Sequence, residues 1–214
     1  MIFIDPLDLF NIQRGALMGK KMKVKKMVAK PVVPNKPIML NQKLPLVSAA
    51  LPVAVGTERT LVLIKPDGVQ RSLIGDIITR FEKVGLKIVG MKMVWINREF
   101  ARKHYRAHLE KKMYPGLENF IVEGPVVAMV LEGLHAVELV RKMVGSTEPR
   151  SAAPGTIRGD YAQHSFVYTD AKGISIKNLI HASGTKPEAD EEIALWFTKN
   201  ELHEYHTVHE KHVF

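Results

Sequence analysis

Residues 59–71 read Arg-Thr-Leu-Val-Leu-Ile-Lys-Pro-Asp-Gly-Val-Gln-Arg, and the change of character inside this stretch decides the fold. Thr60–Lys65 (TLVLIK) is a short, nearly continuous apolar run that predicts a buried strand, and Pro66-Asp67-Gly68 stops it with turn residues. Just beyond, Ile74, Ile77, Ile78 and Phe81 fall at i, i+3, i+4 and i+7, the apolar face of a helix that ends near Gly85. Leu86–Ile96 alternates and predicts a second strand, and Arg98–Leu109 a polar, aromatic-bearing helix. Pro125–Leu131 (PVVAMVL) reads as a third buried strand closed by Gly133. His135–Val144 follows as a helix with Val137, Val140 and Val144 on one side. Asn178–His181 is a short fourth strand, and Pro187–Phe197 a helix with proline at its start and Ala189, Ile193 and Trp196 on one face. Strand–helix–strand repeated in this order predicts an antiparallel four-stranded sheet with helices on one face, a ferredoxin-like α/β sandwich.

The 214 residues, 46% apolar and 25% charged, fit one globular domain with a tail and exclude a wholly disordered chain. No apolar run approaches the ~18 residues of a membrane span. The absence of cysteine removes disulfides, thiolate metal sites and thiol nucleophiles, and suits a reducing cytoplasm. The net charge of +9 is uneven: residues 1–57 hold nine Lys+Arg against Asp5 and Asp8, so the remainder is nearly balanced. That first segment also spaces Pro31, Pro34, Pro37, Pro45 and Pro52 through a stretch without sustained periodicity, and its charge follows acids rather than leading an apolar run, unlike a secretory signal. It is expected to be a disordered extension (1–57), or sequence upstream of a start at Met18 or Met22. A basic arm touching RNA or anionic lipid is the other reading. The domain is expected over 58–214.

Phosphate-loop patterns of the G-x-x-x-x-G-K-[ST] and G-x-G-x-x-G kinds do not occur. The segment 141–160 (RKMVGSTEPRSAAPGTIRGD) nevertheless gathers three arginines, two threonines and three glycines between a helix and a strand. Arginine forks pair with phosphate oxygens, and structureless loops beyond ~12–15 residues are usually functional or disordered; a solvated surface loop is the plainer alternative. His181 closes the apolar run 178–180 where a buried strand surfaces, and neutral imidazole is a competent nucleophile near pH 7. Residue chemistry alone favours a structural histidine there over a catalytic one. His203, His206, His209 and His212 recur every third residue, a period that drifts around a helix, so they read as surface polarity rather than a metal site.

Arg59–Arg71 (RTLVLIKPDGVQR), Gly124–Gly133 (GPVVAMVLEG), Pro154–Asp160 (PGTIRGD) and Asn178–Ser183 (NLIHAS) resemble, in order and spacing, the motifs of nucleoside diphosphate kinases, over about residues 57–214. The resemblance implies that same ferredoxin-like fold. It also implies transfer of the terminal phosphate of ATP or another nucleoside triphosphate to a nucleoside diphosphate, with Mg²⁺ and through a phosphorylated histidine. His181 stands at that histidine. Lys65 matches the lysine on sugar and phosphate, Asn178 the asparagine on the sugar, and Arg141, Thr147 and Arg158 the phosphate-binding set. Tyr105, Ser183 and Glu192 match residues that support the histidine. Met113 stands where the family usually has a base-stacking phenylalanine, so its thioether or the adjacent Tyr114 is expected against the base. The chain is longer than the common form by about ten residues within 164–177, read as a surface insertion. Assembly as a homo-oligomer, hexamer or tetramer, is implied as well. A nucleic-acid-binding module and an inactive scaffold relative are the competing readings; the former lacks the exposed aromatic strand such modules use.

Overall fold

The computed structural model describes residues 56–208 and 210–213. The extension 1–57, save its last two residues, and His209 therefore lie outside the described residues. Four strands, β1 (Thr57–Ile64), β2 (Lys87–Val94), β3 (Val126–Leu134) and β4 (Ile180–Ala182), form one antiparallel sheet in the order β2-β3-β1-β4. The helices are α1 (Pro66–Gln70), α2 (Ile74–Lys83), α3 (Arg98–His104), α4 (Tyr114–Ile121), α5 (Ala136–Val144), α6 (Ile157–Tyr161), α7 (Phe166–Lys172), α8 (Lys186–Trp196) and α9 (Glu210–Val213).

The apolar run of β1 is continuous because both of its faces are buried. Val62 and Ile64 pack with Ile77 and Phe81 of α2 and with Ala136, Val140 and Val144 of α5. Leu61 and Leu63, pointing the other way, pack with Ala101 of α3, Leu117 and Ile121 of α4, and Ile193 and Trp196 of α8. Helices thus cover both faces of the sheet, where the sequence pattern alone suggested one. Alternation along a strand assigns residues to two faces but cannot say what lies on the second when both are apolar. Phe81, fully buried against this sheet, supplies a test: Phe81→Ala is expected to cost ~3–5 kcal/mol, read from the urea unfolding midpoint.

Within 164–177, the stretch expected to be an insertion, the chain forms α7, a short helix capped by the Ser165 hydroxyl and ended by Gly173 at φ 63°. The C-terminal histidines 203, 206 and 212 are exposed, with His206 paired to Glu210. Among the described residues no helix is long and apolar enough to cross a membrane.

Candidate active site

His181 lies on the short edge strand β4, opposite Leu63 of β1. Its Nε2 meets both carboxylate oxygens of Glu192 at 2.8 and 3.1 Å. Glu192 faces inward because it shares the buried side of α8 with Ala189, Ile193 and Trp196. The Ser183 hydroxyl donates to Glu192 Oε2 at 2.6 Å and accepts the Leu61 N–H at 3.3 Å, which ties the carboxylate to β1. Burial, then the Lys65 ammonium, press the pKa of His181 down to about 3, with Glu188 opposing. The ring is therefore neutral near pH 7. Glu192 accepts its Nε2 proton, so the free electron pair is on Nδ1.

A second imidazole stands against the first. His104, at the end of α3, places its ring 4.7 Å from that of His181, edge to face. Its Nδ1 accepts the Trp196 indole N–H at 3.2 Å. Burial and the neighbouring His181 push its pKa down to about 3. His104, His181 and Glu192 could bring one ligand atom each within 4.8 Å of one another. His181 and Ser183 already donate to Glu192, while His104 is bonded to Trp196 through Nδ1 and packs against the His181 ring with its Nε2 unpartnered among the described residues. The polar sequence pattern of α3 gave no sign of His104 or of its partner 92 residues away.

The cationic side is built from three segments. Lys65, 7% exposed at the end of β1, donates to Asn178 Oδ1 at 2.8 Å; burial and then Arg158 lower its pKa to about 8. Asn178 in turn donates to the Thr147 carbonyl at 2.9 Å. Arg158, on α6 and nearly fully buried, spreads its guanidinium over the carbonyls of Asn178 (3.2 Å), Gly145 (3.0 Å) and Ile180 (2.7 Å). Three of its five N–H groups are thus engaged, leaving two for an anion. Arg141, in the last turn of α5, reaches the Ala182 carbonyl at 3.4 Å, and the Thr147 side chain is exposed.

The loop 145–156 is shaped by close contacts with α6. A Cβ on Gly159 would lie 2.1 Å from the Ala153 carbonyl oxygen, so only glycine lets the loop fold onto α6. Arg80 of α2 braces it from outside, paired with Asp160, bonded to the Gly155 carbonyl at 3.2 Å and lying 4.5 Å from the Tyr161 ring centroid.

Tyr105 is buried, its ring 6.3 Å from that of His181, and its hydroxyl has no hydrogen-bond partner among the described residues. Of the two neighbours considered for the base, Tyr114 is 6% exposed, packed in the core and bonded to Glu118, whereas Met113 is 50% exposed. The sequence could not separate them, because adjacent residues at a helix start point in different directions only once the helix is docked.

Residues 58–202 match the family model for nucleoside diphosphate kinase. A nucleoside diphosphate kinase of Pyrococcus horikoshii is 59% identical over 149 residues, covering 70% of this chain and 90% of that protein. One from Borreliella burgdorferi is 47% identical over 154 residues, covering 69% of this chain and 92% of that protein. Among solved structures, a transition-state mimic of the Borrelia burgdorferi enzyme with bound vanadate and ADP superposes with a TM-score of 0.72 at 44% identity, covering 75% of this chain and 98% of that one. A halophilic nucleoside diphosphate kinase from Halobacterium salinarum in complex with CDP gives 0.66 at 46% identity, covering 73% and 98%. With two thirds of its length matched and its four-stranded sheet shared with these structures, the chain belongs to the nucleoside diphosphate kinase family.

Proposed function

We propose that His181 is the phosphate carrier of this kinase and that its Nδ1 is the attacking atom. The observation that carries the reading is the Glu192 carboxylate on Nε2, which leaves Nδ1 unprotonated. In the first half-reaction the Nδ1 electron pair forms an N–P bond to the γ-phosphorus of a nucleoside triphosphate while the bond to the β,γ-bridging oxygen breaks and the diphosphate leaves. In the second, a terminal β-phosphate oxygen of another diphosphate takes the phosphoryl group and the imidazole is restored. Phosphorylation makes the ring cationic, and Glu192 compensates that charge, as a buried carboxylate does for an imidazolium. The loose transition state demands positioning and positive charge, which Lys65, Arg158 and Arg141 supply.

Asn178 and Lys65 are assigned to the sugar, Thr147 and the two arginines to the phosphates, Met113 to the base, and Tyr105 and Ser183 to support of the histidine. Recognition through sugar and phosphate leaves base edges unread, so a broad range of nucleosides is expected. Mg²⁺ enters with the nucleotide phosphates: the nitrogen-rich cluster at His181 is a poor home for a hard, oxygen-seeking ion. ATP with a second nucleoside diphosphate, followed by chromatography of the nucleotides, tests the activity; parallel lines in double-reciprocal plots are expected. Arg80→Ala should loosen the loop under Arg158 and raise the nucleotide KM about five-fold with kcat retained, the scale of an exposed ion pair.

The same reading places the kinase domain at 58–214 with 1–57 as an extension outside it, and locates the protein in the cytoplasm. Edge strand β2 and its exit expose Met91 (55%), Met93 (55%) and Trp95 (68%) on one side. Such a patch supports assembly into a homo-oligomer, hexamer or tetramer, measurable by light scattering.

A further inference from the structure

Two residues before His181 the backbone takes a path that leucine avoids. Leu179 has φ 69°, and the Ile180 N–H donates to the Asn178 carbonyl at 2.8 Å. A bond from i+2 to i around a positive-φ centre is a γ-turn of the rare, strained kind. A leucine stays in that region only where its surroundings over-determine it.

The turn is held by bonds from several segments. The Leu179 carbonyl accepts the Lys65 N–H at 2.8 Å. The flanking carbonyls of Asn178 and Ile180 accept from Arg158. Gly68 passes so close that a Cβ there would lie 3.1 Å from the Leu179 oxygen and 2.7 Å from Ile64 Cγ2. The central N–H donates to Asp67 Oδ2 at 3.0 Å. Lys65 and Arg158 have tasks in the transfer. Asp67 has none so far, yet it is buried at 4% exposure, and its Oδ1 has no hydrogen-bond partner among the described residues. It also lines a cavity of about 410 Å³ with Arg71, Tyr161 and Lys177.

We propose that Asp67 is a positioning residue of the phosphoryl transfer, holding the strained turn at Leu179 through its central N–H and thereby aiming His181 relative to Asn178, whose side chain Lys65 and the Thr147 carbonyl hold in place. Asn178 and His181 flank the turn, so their relative direction depends on it. Without the carboxylate, Leu179 relaxes toward negative φ, the peptide rotates, and Nδ1 leaves the line of attack. An acceptor oxygen is what the turn needs; the negative charge is not.

The inference rests on His181 as phosphate carrier, so formation of phosphoenzyme by the unaltered full chain with Mg²⁺ATP is measured first. Its absence sinks that reading and leaves no rate for Asp67 to affect. Given it, Asp67→Ala is expected to phosphorylate at least thirty-fold more slowly, with nucleotide KM changed less than three-fold. Asp67→Asn keeps an oxygen for the Leu179 N–H and is expected within three-fold of the unaltered rate. An undiminished alanine variant, or an asparagine variant as slow as alanine, overturns the proposal; the second outcome would make charge on Lys65 and Arg158 the operative effect. A merely structural role lowers Tm without this split between kcat and KM. Should the alanine variant not fold, the asparagine variant decides: a rate within three-fold supports the proposal, and a greater loss overturns it.

Discussion

Incubated with γ-labelled ATP, the protein is expected to take up label that is stable in base and lost in acid, and His181→Ala is expected to take up none. Transfer between nucleotides should fall by ~10⁴-fold or more, the scale on which loss of a covalent nucleophile is felt. The variant should still fold, because the ring is 17% exposed and its neighbours Ser183 and Leu61 keep their own bonds. His206→Ala is the control: that ring is exposed, paired with Glu210 and remote in role. Undiminished transfer by His181→Ala would remove the basis of the whole mechanism. Since burial holds His181 near a pKa of about 3, kcat/KM should show no acid limb from imidazole protonation between pH 5 and 7.

The alkaline side belongs to Lys65. In the role proposed for it the ammonium is charged to meet phosphate, and its pKa in the folded protein is about 8 against 10.5 for the free side chain, burial being the main cause. The predicted kcat/KM therefore declines above pH 8. Over the same window, from about 8 to 10.5, the unfolded chain binds a proton at Lys65 that the folded chain does not, so this group makes folding more favourable as pH rises. Falling activity with undiminished Tm distinguishes deprotonation of Lys65 from alkaline unfolding. Lys65→Ala is expected to cost ~10²–10³ in kcat/KM, the usual effect of removing one charge stabiliser, and to abolish the limb. If the limb persists in Lys65→Ala, another group titrates there.

Much of the scaffold was legible residue by residue. The TLVLI and VVAMVL runs mark the two central strands because a strand buried on both faces needs no polar alternation. The 74, 77, 78, 81 spacing marks α2, and Pro187 marks the opening of α8. Other elements were not legible. α4 (Tyr114–Ile121) begins beside charged Lys111 and Lys112, and its Tyr114 and Glu118 become core residues only by packing against α3, where Arg98 and Arg102 pair with Glu118. α7 lies in a stretch whose exposed Phe166, Val167 and Tyr168 give no single apolar face.

The site divides the same way. Motifs in the chain brought Lys65, Arg141, Arg158, Asn178 and His181 to notice through resemblance, and the odd length of 141–160 drew attention by itself. His104, Trp196 and Asp67 drew none, since each matters through a partner far along the chain.

Periodicity and turn chemistry, properties of neighbouring residues, determined by themselves the number of strands, their order along the chain and the ferredoxin-like plan. Which nitrogen of His181 is free, which of Met113 and Tyr114 reaches solvent, and why a leucine tolerates positive φ were decided only by tertiary structure. Each depends on hydrogen bonds or packing between segments that the chain keeps apart: Glu192 on Nε2, the core around Tyr114, and Asp67 at the Leu179 amide, 112 residues away. A proton's position and a side chain's exposure are set by what lies within a few ångströms, and local pattern carries no record of that.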